Sequence, residues 1–568
     1  MATIPASSNL AAARIAAEAQ TLCAAFQATA ARRGDAVALR TPEGVELTWQ
    51  DYAQRVRGLA AGLAAHGIAR GDTIAMMLCN CPEGHLVDTA ALHLGATPFS
   101  IYNTSSPEQI EHVLSNAGCR LVVTEPQYLE RVLAAKASLP ALEHVFVLDG
   151  ASAEAPGLDE LSEAAEASFD FEATWRSVTP DDLATLIYTS GTTGPPKGVE
   201  LTHHNLVWTG RAWLEVTGLG LDGRLMSYLP MAHLADRVVA HYFAILTGAS
   251  ITCVANAKAA VPAIAGTRPT LWLGVPRVWE KLKGSLAAKI GTPPFADEVA
   301  AGVREQLGFP EGGFLLSGAA PLPFHVLEFF DALGLPINEG YGMTESSAVV
   351  TMNHAAARRI GTVGQPLPGA EATLADDGEL LVRGPLVMKG YRKEPDKTAE
   401  AIDSDGWLHT GDIAQIDDEG FVKIVDRKKE IIINAAGKNM SPSNIEGKIK
   451  GSCPLIGMAV TIGDARPYNT GLIVLDPDAA KAFAAEHGIA DDSVEALAAN
   501  EQVRAEVAAG IERGNQQLAR VEQLKKHTIV PGEWPPGGDE LTPTLKLKRK
   551  PIAEKYSGEI EAMYSGSP

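Results

Sequence analysis

The chain has 568 residues, with 69 acidic against 48 basic side chains, and so carries a net charge of −21 at neutral pH. That excess argues against nucleic acid as a partner, because neutralising phosphates needs a basic face. With 46% apolar and 21% charged residues the composition is globular, neither disordered nor fibrous, and the length supports more than one domain.

The alanine-rich run over 11–31, with Arg14, Glu18 and Gln20 interspersed, predicts a surface helix that packs one face. It lacks the basic-then-apolar order of a secretion signal, and no apolar stretch approaches the roughly 20 residues that cross a bilayer. A soluble, cytoplasmic protein is expected. Tyr52, Val56, Leu59 and Leu63 recur at helical spacing up to Gly67, and a strand is predicted over 73–78. Cys79 and Cys81 flank Asn80, a spacing that reads as two small buried residues before it reads as a metal pair; the six cysteines include no C-x-x-C. Leu86, Val87, Ala90 and Leu94 predict a second helix ending at Gly95, and the chain re-extends over 97–102. Strand and helix alternate, which is the pattern of an α/β fold.

The stretch LIYTSGTTGPPKG, 186–198, reads as a strand running into a phosphate cradle. Thr189, Ser190, Thr192 and Thr193 supply hydroxyl donors, Gly191, Gly194 and Gly198 let backbone N–H groups approach an anion, and Lys197 adds a point charge. It is not a Walker A loop, in which the lysine follows glycine and precedes Ser or Thr; here Lys197 lies between Pro196 and Gly198. GLGLDG at Gly218, Gly220 and Gly223 fits the dinucleotide pattern in letters only. A helical run precedes it and a strand follows, the reverse of the required order, so a turn is expected. Near residue 420 the texture changes to a compact charged passage, with a hinge expected near Asp426 and domains over 1–425 and 426–568. Val503, Val507, Ile511, Leu518 and Val521 predict one long amphipathic helix, and the closing LTPTLKLKRK is the most basic segment of an acidic chain.

The YTSGTTGPPKG loop, INEGYGMTE at 337–345, GWLHTGDI at 406–413 and DRKKEII at 426–432 resemble, in order, the motifs of the adenylate-forming superfamily of acyl-CoA synthetases, luciferases and adenylation domains. VPRVWEKL, SGAAPLPFHVLEFF and LTPTLKLKRK are most similar to bacterial long-chain fatty acyl-CoA synthetases. The resemblance implies a large N-terminal domain of αβ-layered sheets and a small α+β C-terminal lid. It implies ATP and coenzyme A as co-substrates and Mg2+ as cofactor: a carboxylate attacks ATP to give acyl-adenylate and pyrophosphate, and the CoA thiol then displaces AMP.

Residue by residue, the resemblance puts Glu345 and Thr193 at the magnesium and phosphates. Ser317, Gly318 and Ala319 with Asn338, Glu339, Gly340, Tyr341, Gly342 and Thr344 fall at the adenine pocket and its flank, Asp412 on the ribose hydroxyls, and Arg427 on ribose and phosphate. A carboxylate suits the ribose because it accepts from both hydroxyls. Aligning TLKLK with the family's T-x-S-G-K ending puts the adenylation lysine on Lys548, with Lys546 the second candidate. Gly437, Lys438, Asn439 and Met440 would face coenzyme A in the second step. His233 matches the aromatic position beside the acyl carbonyl, and Gly274, Val275 and Gly318 would line the acyl pocket.

A medium- to long-chain fatty acid is the favoured substrate. An aryl acid, or delivery of the acyl group to a carrier protein, is the nearest alternative, and a non-catalytic CoA- or lipid-binding descendant is the alternative of another class. Peripheral contact with the inner membrane face is compatible with an amphipathic substrate, although no amphipathic basic helix demands it. Nothing in the sequence sets an oligomeric state.

Overall fold

Caps written into the sequence delimit the first helices. Thr48 Oγ1 accepts from the Asp51 N–H while Asp51 returns a bond to the Thr48 N–H, starting helix Trp49–Ala65. Pro82 occupies the first turn of Pro82–His93, where a missing N–H costs nothing. The computed structural model describes residues 19–150, 154–164, 166, 168–189, 195–435, 438–542 and 545–565. It divides into two compact units: Met1–Thr373 with Leu381–Thr410 and Ile416–Lys423, and Leu374–Leu380 with Gly411–Gln415 and Ile424–Pro568.

In the first unit, strands Thr97–Ser100, Thr73–Met77, Cys119–Thr124 and His144–Val147 form a parallel sheet in that spatial order. All five residues of Thr73–Met77 are buried, as expected of a parallel strand covered on both faces. A second sheet joins Glu46–Thr48, Val37–Arg40, Ser250–Cys253 and Arg224–Ser227. A third runs Leu271–Leu273, Phe314–Ser317 and Ile337–Tyr341 in parallel, followed by two short antiparallel strands. The α/β expectation is met. GLGLDG is a turn: Gly218 ends helix His203–Thr217 in a left-handed conformation, and the Gly223 N–H bonds back to the Gly220 carbonyl.

One local expectation holds and one is corrected. The first described helix is Leu22–Arg33; it buries Leu22, Cys23, Ala25, Phe26, Thr29 and Ala30 in the main core, and the part of the predicted 11–31 helix before residue 19 lies outside the described residues. Cys79 and Cys81 are half-buried, and the Cys79 thiol lies 3.3 Å from the Tyr128 hydroxyl. Among the described residues no group of three potential metal ligands occurs, nor is any helix long and apolar enough to cross a membrane.

The second unit holds antiparallel strands Ile456–Ile462 and Asn469–Leu475, with Leu524–Ile529 parallel to the latter. Ile445, Ile449, Val503, Val507 and Ile511 fill the core beneath helices Pro442–Gly451 and Glu501–Asn515. The latter helix stops six residues short of Val521, which is exposed. Asn515 ends it: its side-chain amide donates to the Leu524 carbonyl and accepts from the Leu524 N–H, turning the chain into the strand.

Two buried histidines give the fold a pH dependence. His93 Nδ1–H donates to the Thr89 carbonyl, so its Nε2 lone pair faces the Gln27 amide; His203 Nδ1 accepts from the Leu22 N–H. Burial pushes both from about 6.5 down to about 4, although Glu172 beside His93 and Asp182 and Asp88 near His203 pull the other way. With folded values below the unfolded ones, their contribution is complete above about pH 6.5 and is lost as pH falls toward 4. The urea midpoint is therefore expected to fall between about pH 7 and 5, less steeply for His203→Asn; identical midpoints across that range would refute it.

Candidate active site

Three neighbouring parallel strands of the first unit deliver three sequence motifs to one edge. Leu273 pairs with Leu316, and Ser317 with Glu339, so Gly274–Val275, Gly318–Ala319 and Gly340–Tyr341 lie together at the carboxyl ends of the parallel pairing, where open α/β sheets bind ligands. Two glycines are required by close approach. A Cβ on Gly342 would lie 2.0 Å from the Ala348 carbonyl oxygen, and one on Gly274 would lie 2.5 Å from Trp279 Nε1. The space beside Gly274 is thus filled by an indole, which gives this glycine a packing reason distinct from room for an acyl chain.

Ala319 is held at φ +69°, and the buried Ser317 hydroxyl has no hydrogen-bond partner. A backbone strained beside an orphaned donor fits a ligand edge. Asn338 turns its amide inward, donating to the Leu315 carbonyl at 3.2 Å. Glu339 accepts from the Leu322 N–H, and burial raises its carboxyl to about 7.

The phosphate-cradle strand, Leu183–Thr189, pairs antiparallel with Lys197–Thr202, placing Thr189 opposite Lys197. Ser190, Gly191, Thr192, Thr193 and Gly194 lie outside the described residues. Lys197 Nζ sits 4.0 Å from the centre of the Tyr391 ring, and the Tyr391 hydroxyl donates to Glu345 Oε1 at 2.8 Å. Tyr391 reaches this position because the two-residue strand Gly390–Tyr391 pairs with Glu200 and Val199. Burial and the adjacent Glu345 charge push the Tyr391 phenol up, so it stays a donor throughout the neutral range.

Glu345, 8% exposed, lies in the single turn Thr344–Ser346. That turn is capped by Ser346, whose hydroxyl accepts from the Met343 N–H, so the Glu345 carboxylate is not spent on the cap. His233 begins the short helix Leu234–Asp236, with Nδ1 accepting from the Ala235 N–H at 3.2 Å. Nε2 then carries the proton of the neutral ring.

In the second unit Asp412, 5% exposed, lies in strand Leu408–Ile416, with Arg427 Nε 3.3 Å from its carboxylate. Asp426 ties that strand's neighbour to helix Pro442–Gly451, accepting from Ser441 Oγ at 2.5 Å, the Ser443 N–H at 2.9 Å and Ser443 Oγ at 3.0 Å. The Lys438 N–H bonds to Asn434 Oδ1, and Asn439 and Met440 pair with Ile433 and Ile432; Gly437 lies outside the described residues. Lys548 Nζ donates to the Gly538 carbonyl at 2.8 Å and its own N–H to the Glu540 carbonyl. Next to it, Arg549 binds Glu446 through two nitrogens, at 2.7 and 2.8 Å, and Glu430 at 3.0 Å. Lys546 is exposed.

The AMP-binding enzyme family description matches residues 26–392, and that of the AMP-binding enzyme C-terminal domain matches 429–568. The chain belongs to the AMP-binding enzyme family. This AMP-binding enzyme is 51% identical over 453 residues to the putative fatty-acid–CoA ligase fadD11 of Mycobacterium tuberculosis, covering 72% of this chain and 79% of that one. It is 35% identical to the long-chain-fatty-acid–CoA ligase FadD15 of Mycobacterium bovis, over 92% of each chain. In fold it is similar to the adenylation domain of a carboxylate reductase from Mycobacterium chelonae, with a TM-score of 0.79 at 21% identity over 98% of this chain and 93% of that one. The adenylate-forming resemblance and the layered α/β fold are thereby established. Sequence reading missed one residue of this AMP-binding enzyme's candidate site, Tyr391; the lysine and carboxylate it joins lie in motifs far apart in the chain, and strand pairing brings it between them.

Proposed function

We propose that this AMP-binding enzyme is a fatty acid–CoA ligase that works in two steps. In the first, a carboxylate oxygen of the acid attacks the α-phosphorus of ATP and the bond to the pyrophosphate oxygen breaks. In the second, the CoA sulfur, its proton lost, attacks the acyl carbonyl carbon and the bond to the AMP oxygen breaks. The names of the relatives support the fatty acid and the thiol. The arrangement that carries the reading is the Lys197–Tyr391–Glu345 chain beside the ends of parallel strands: a cation for phosphates and a buried carboxylate oriented by a phenol.

A single carboxylate fits Mg2+, which keeps several waters and takes its remaining oxygens from substrate phosphates; Glu345, with the Thr193 hydroxyl, would hold it. When bound, the ion offsets charge on the phosphoryl oxygens. Lys197 attracts the polyphosphate, and Tyr391 keeps the Glu345 carboxylate from rotating. The Ser317–Ala319 and Asn338–Tyr341 strand ends border the adenine. Asp412 accepts from the ribose hydroxyls, with Arg427 beside it. His233 donates from Nε2 toward the acyl carbonyl. Lys548 places an ammonium between the two anions of the first step, and the Lys438–Met440 segment serves the second. An apolar tail supplies affinity without polar recognition, about 0.8 kcal/mol for each buried methylene.

Carboxylic acids from acetate to palmitate, with cinnamates added, are to be assayed for AMP release with free CoA. Turnover is expected to rise with chain length into the medium and long range. A preference for cinnamates would overturn the fatty acid in favour of an aryl acid, and AMP release that requires a carrier protein in place of CoA would overturn the acceptor.

A further inference from the structure

The segment that carries His233 leaves strand Arg224–Ser227 and enters helix Leu234–Asp236, and buried polar side chains grip its backbone along its length. Asp236 Oδ1 accepts from the Tyr228 and Leu229 N–H groups, both at 3.0 Å, while Oδ2 accepts from Ser227 Oγ at 2.6 Å and Asn80 Nδ2 at 3.3 Å. Asn80 Nδ2 also donates to the Leu229 carbonyl at 2.8 Å. The Met231 carbonyl accepts from Arg237 Nε at 2.9 Å, and the His233 N–H closes onto the Pro230 carbonyl at 2.8 Å.

Behind this grip stands a second buried layer. Arg237 also binds Asp88, the Tyr242 hydroxyl at 2.8 Å and Ser100 Oγ at 3.0 Å; His241 Nε2 donates to the other Asp88 oxygen at 3.0 Å. Arg237, Asp88 and His241 are all 0% exposed. Residues Arg237–Tyr242 form a π-helix, a wide turn that is rare in structures and recurs at functional sites. Arg237 and His241, four residues apart within it, bind the same carboxylate. So many buried, mutually satisfied polar groups around one short loop are a costly way to build a core, and what they specify is the loop's path.

The geometry points to Asp236 as the positioning residue for His233, with Asn80 and Arg237 as its partners: together they fix the 228–233 backbone so that the His233 ring presents its Nε2 proton in one direction. This rests on the reading above that His233 borders the acyl carbonyl. Asp236→Ala removes the acceptor for two loop N–H groups. Asp236→Asn keeps a carbonyl oxygen that can take the place of Oδ1, and so should rescue much of the loss. A misplaced loop costs rate far more than nucleotide affinity, since displacements near 1 Å are worth up to about 10²-fold.

The test is a double-mutant cycle on the full-length enzyme, with kcat and KM for fatty acid and ATP, after circular dichroism has shown each variant folded. Asp236→Ala is expected to lower kcat about 10-fold or more with the ATP KM within about twofold, and Asp236→Asn to restore most of it. In a His233→Ala background, Asp236→Ala should add less than about twofold, because residues acting through one another are not additive. Should Asp236→Ala fail to fold, Asn80→Ala, which leaves no buried charge alone, enters the same cycle. If His233→Ala is impaired and the second substitution multiplies the loss in full, the positioning role is overturned. If His233→Ala is fully active, the reading of His233 falls first, and the inference with it.

Discussion

Lys548→Ala is expected to cut pyrophosphate release from fatty acid and ATP by about 10²- to 10³-fold or more, while acyl-adenylate supplied directly is still converted to thioester. The asymmetry follows from what each step needs. In the first, two anions must meet and charge builds on the phosphoryl group; in the second, the sulfur attacks the uncharged acyl carbonyl carbon of the mixed anhydride and AMP leaves, so nothing attacks the phosphoryl group. The ammonium is available for that task because its bond to the Gly538 carbonyl leaves its charge uncompensated by a carboxylate there, whereas the charge of adjacent Arg549 is met by Glu430 and Glu446. Lys546→Ala provides the contrast and should adenylate within a few-fold of wild type. Equal loss of both half-reactions in Lys548→Ala, or a deeper adenylation defect in Lys546→Ala, would refute the assignment.

The second large effect is expected at Glu345. Glu345→Gln preserves the bond from the Tyr391 hydroxyl but removes the negative charge, so it should slow adenylation by about 10²-fold and raise the magnesium concentration needed for half-maximal rate. Tyr391→Phe keeps the charge and the ring face under Lys197, and removes only the bond that orients the carboxylate; a loss of about 10-fold, with a smaller change in magnesium dependence, is expected. Full activity of Glu345→Gln across magnesium concentrations would end the metal assignment.

Glu345 and Tyr391 mark what the sequence can propose and where it stops. Glu345 was legible because its motif has neighbours in a fixed order, although a lone Glu after Thr would otherwise suggest a helix start. In the structure Glu345 does lie in the turn Thr344–Ser346, but it is the Ser346 hydroxyl that accepts from the Met343 N–H. The apolar runs of the parallel strands were legible too, since strands covered on both faces need little but hydrophobic residues. Tyr391 was not, nor was the Asp236 brace. Each depends on elements remote in sequence coming side by side, and an aspartate buried under four donors has the same letter as one in solvent. Helix Glu501–Asn515 shows the limit of periodicity: Leu518 and Val521 continue the pattern on paper, but the Asn515 amide has already claimed both backbone groups of Leu524. At Gly274, smallness in sequence suggested room for substrate, where the fold puts Trp279.

The three bonds between Arg549 and the pair Glu430 and Glu446 set a mechanical condition on the residue beside them. With its own peptide nitrogen pinned to Glu540, Lys548 is rooted in a stiff mooring, and its charge can swing only on the tether of its four-carbon stem. Any travel greater than that leash has to be made by the whole body to which it is anchored. Loosening the mooring, as in Glu446→Gln, would widen the region the ammonium samples without touching the charge itself.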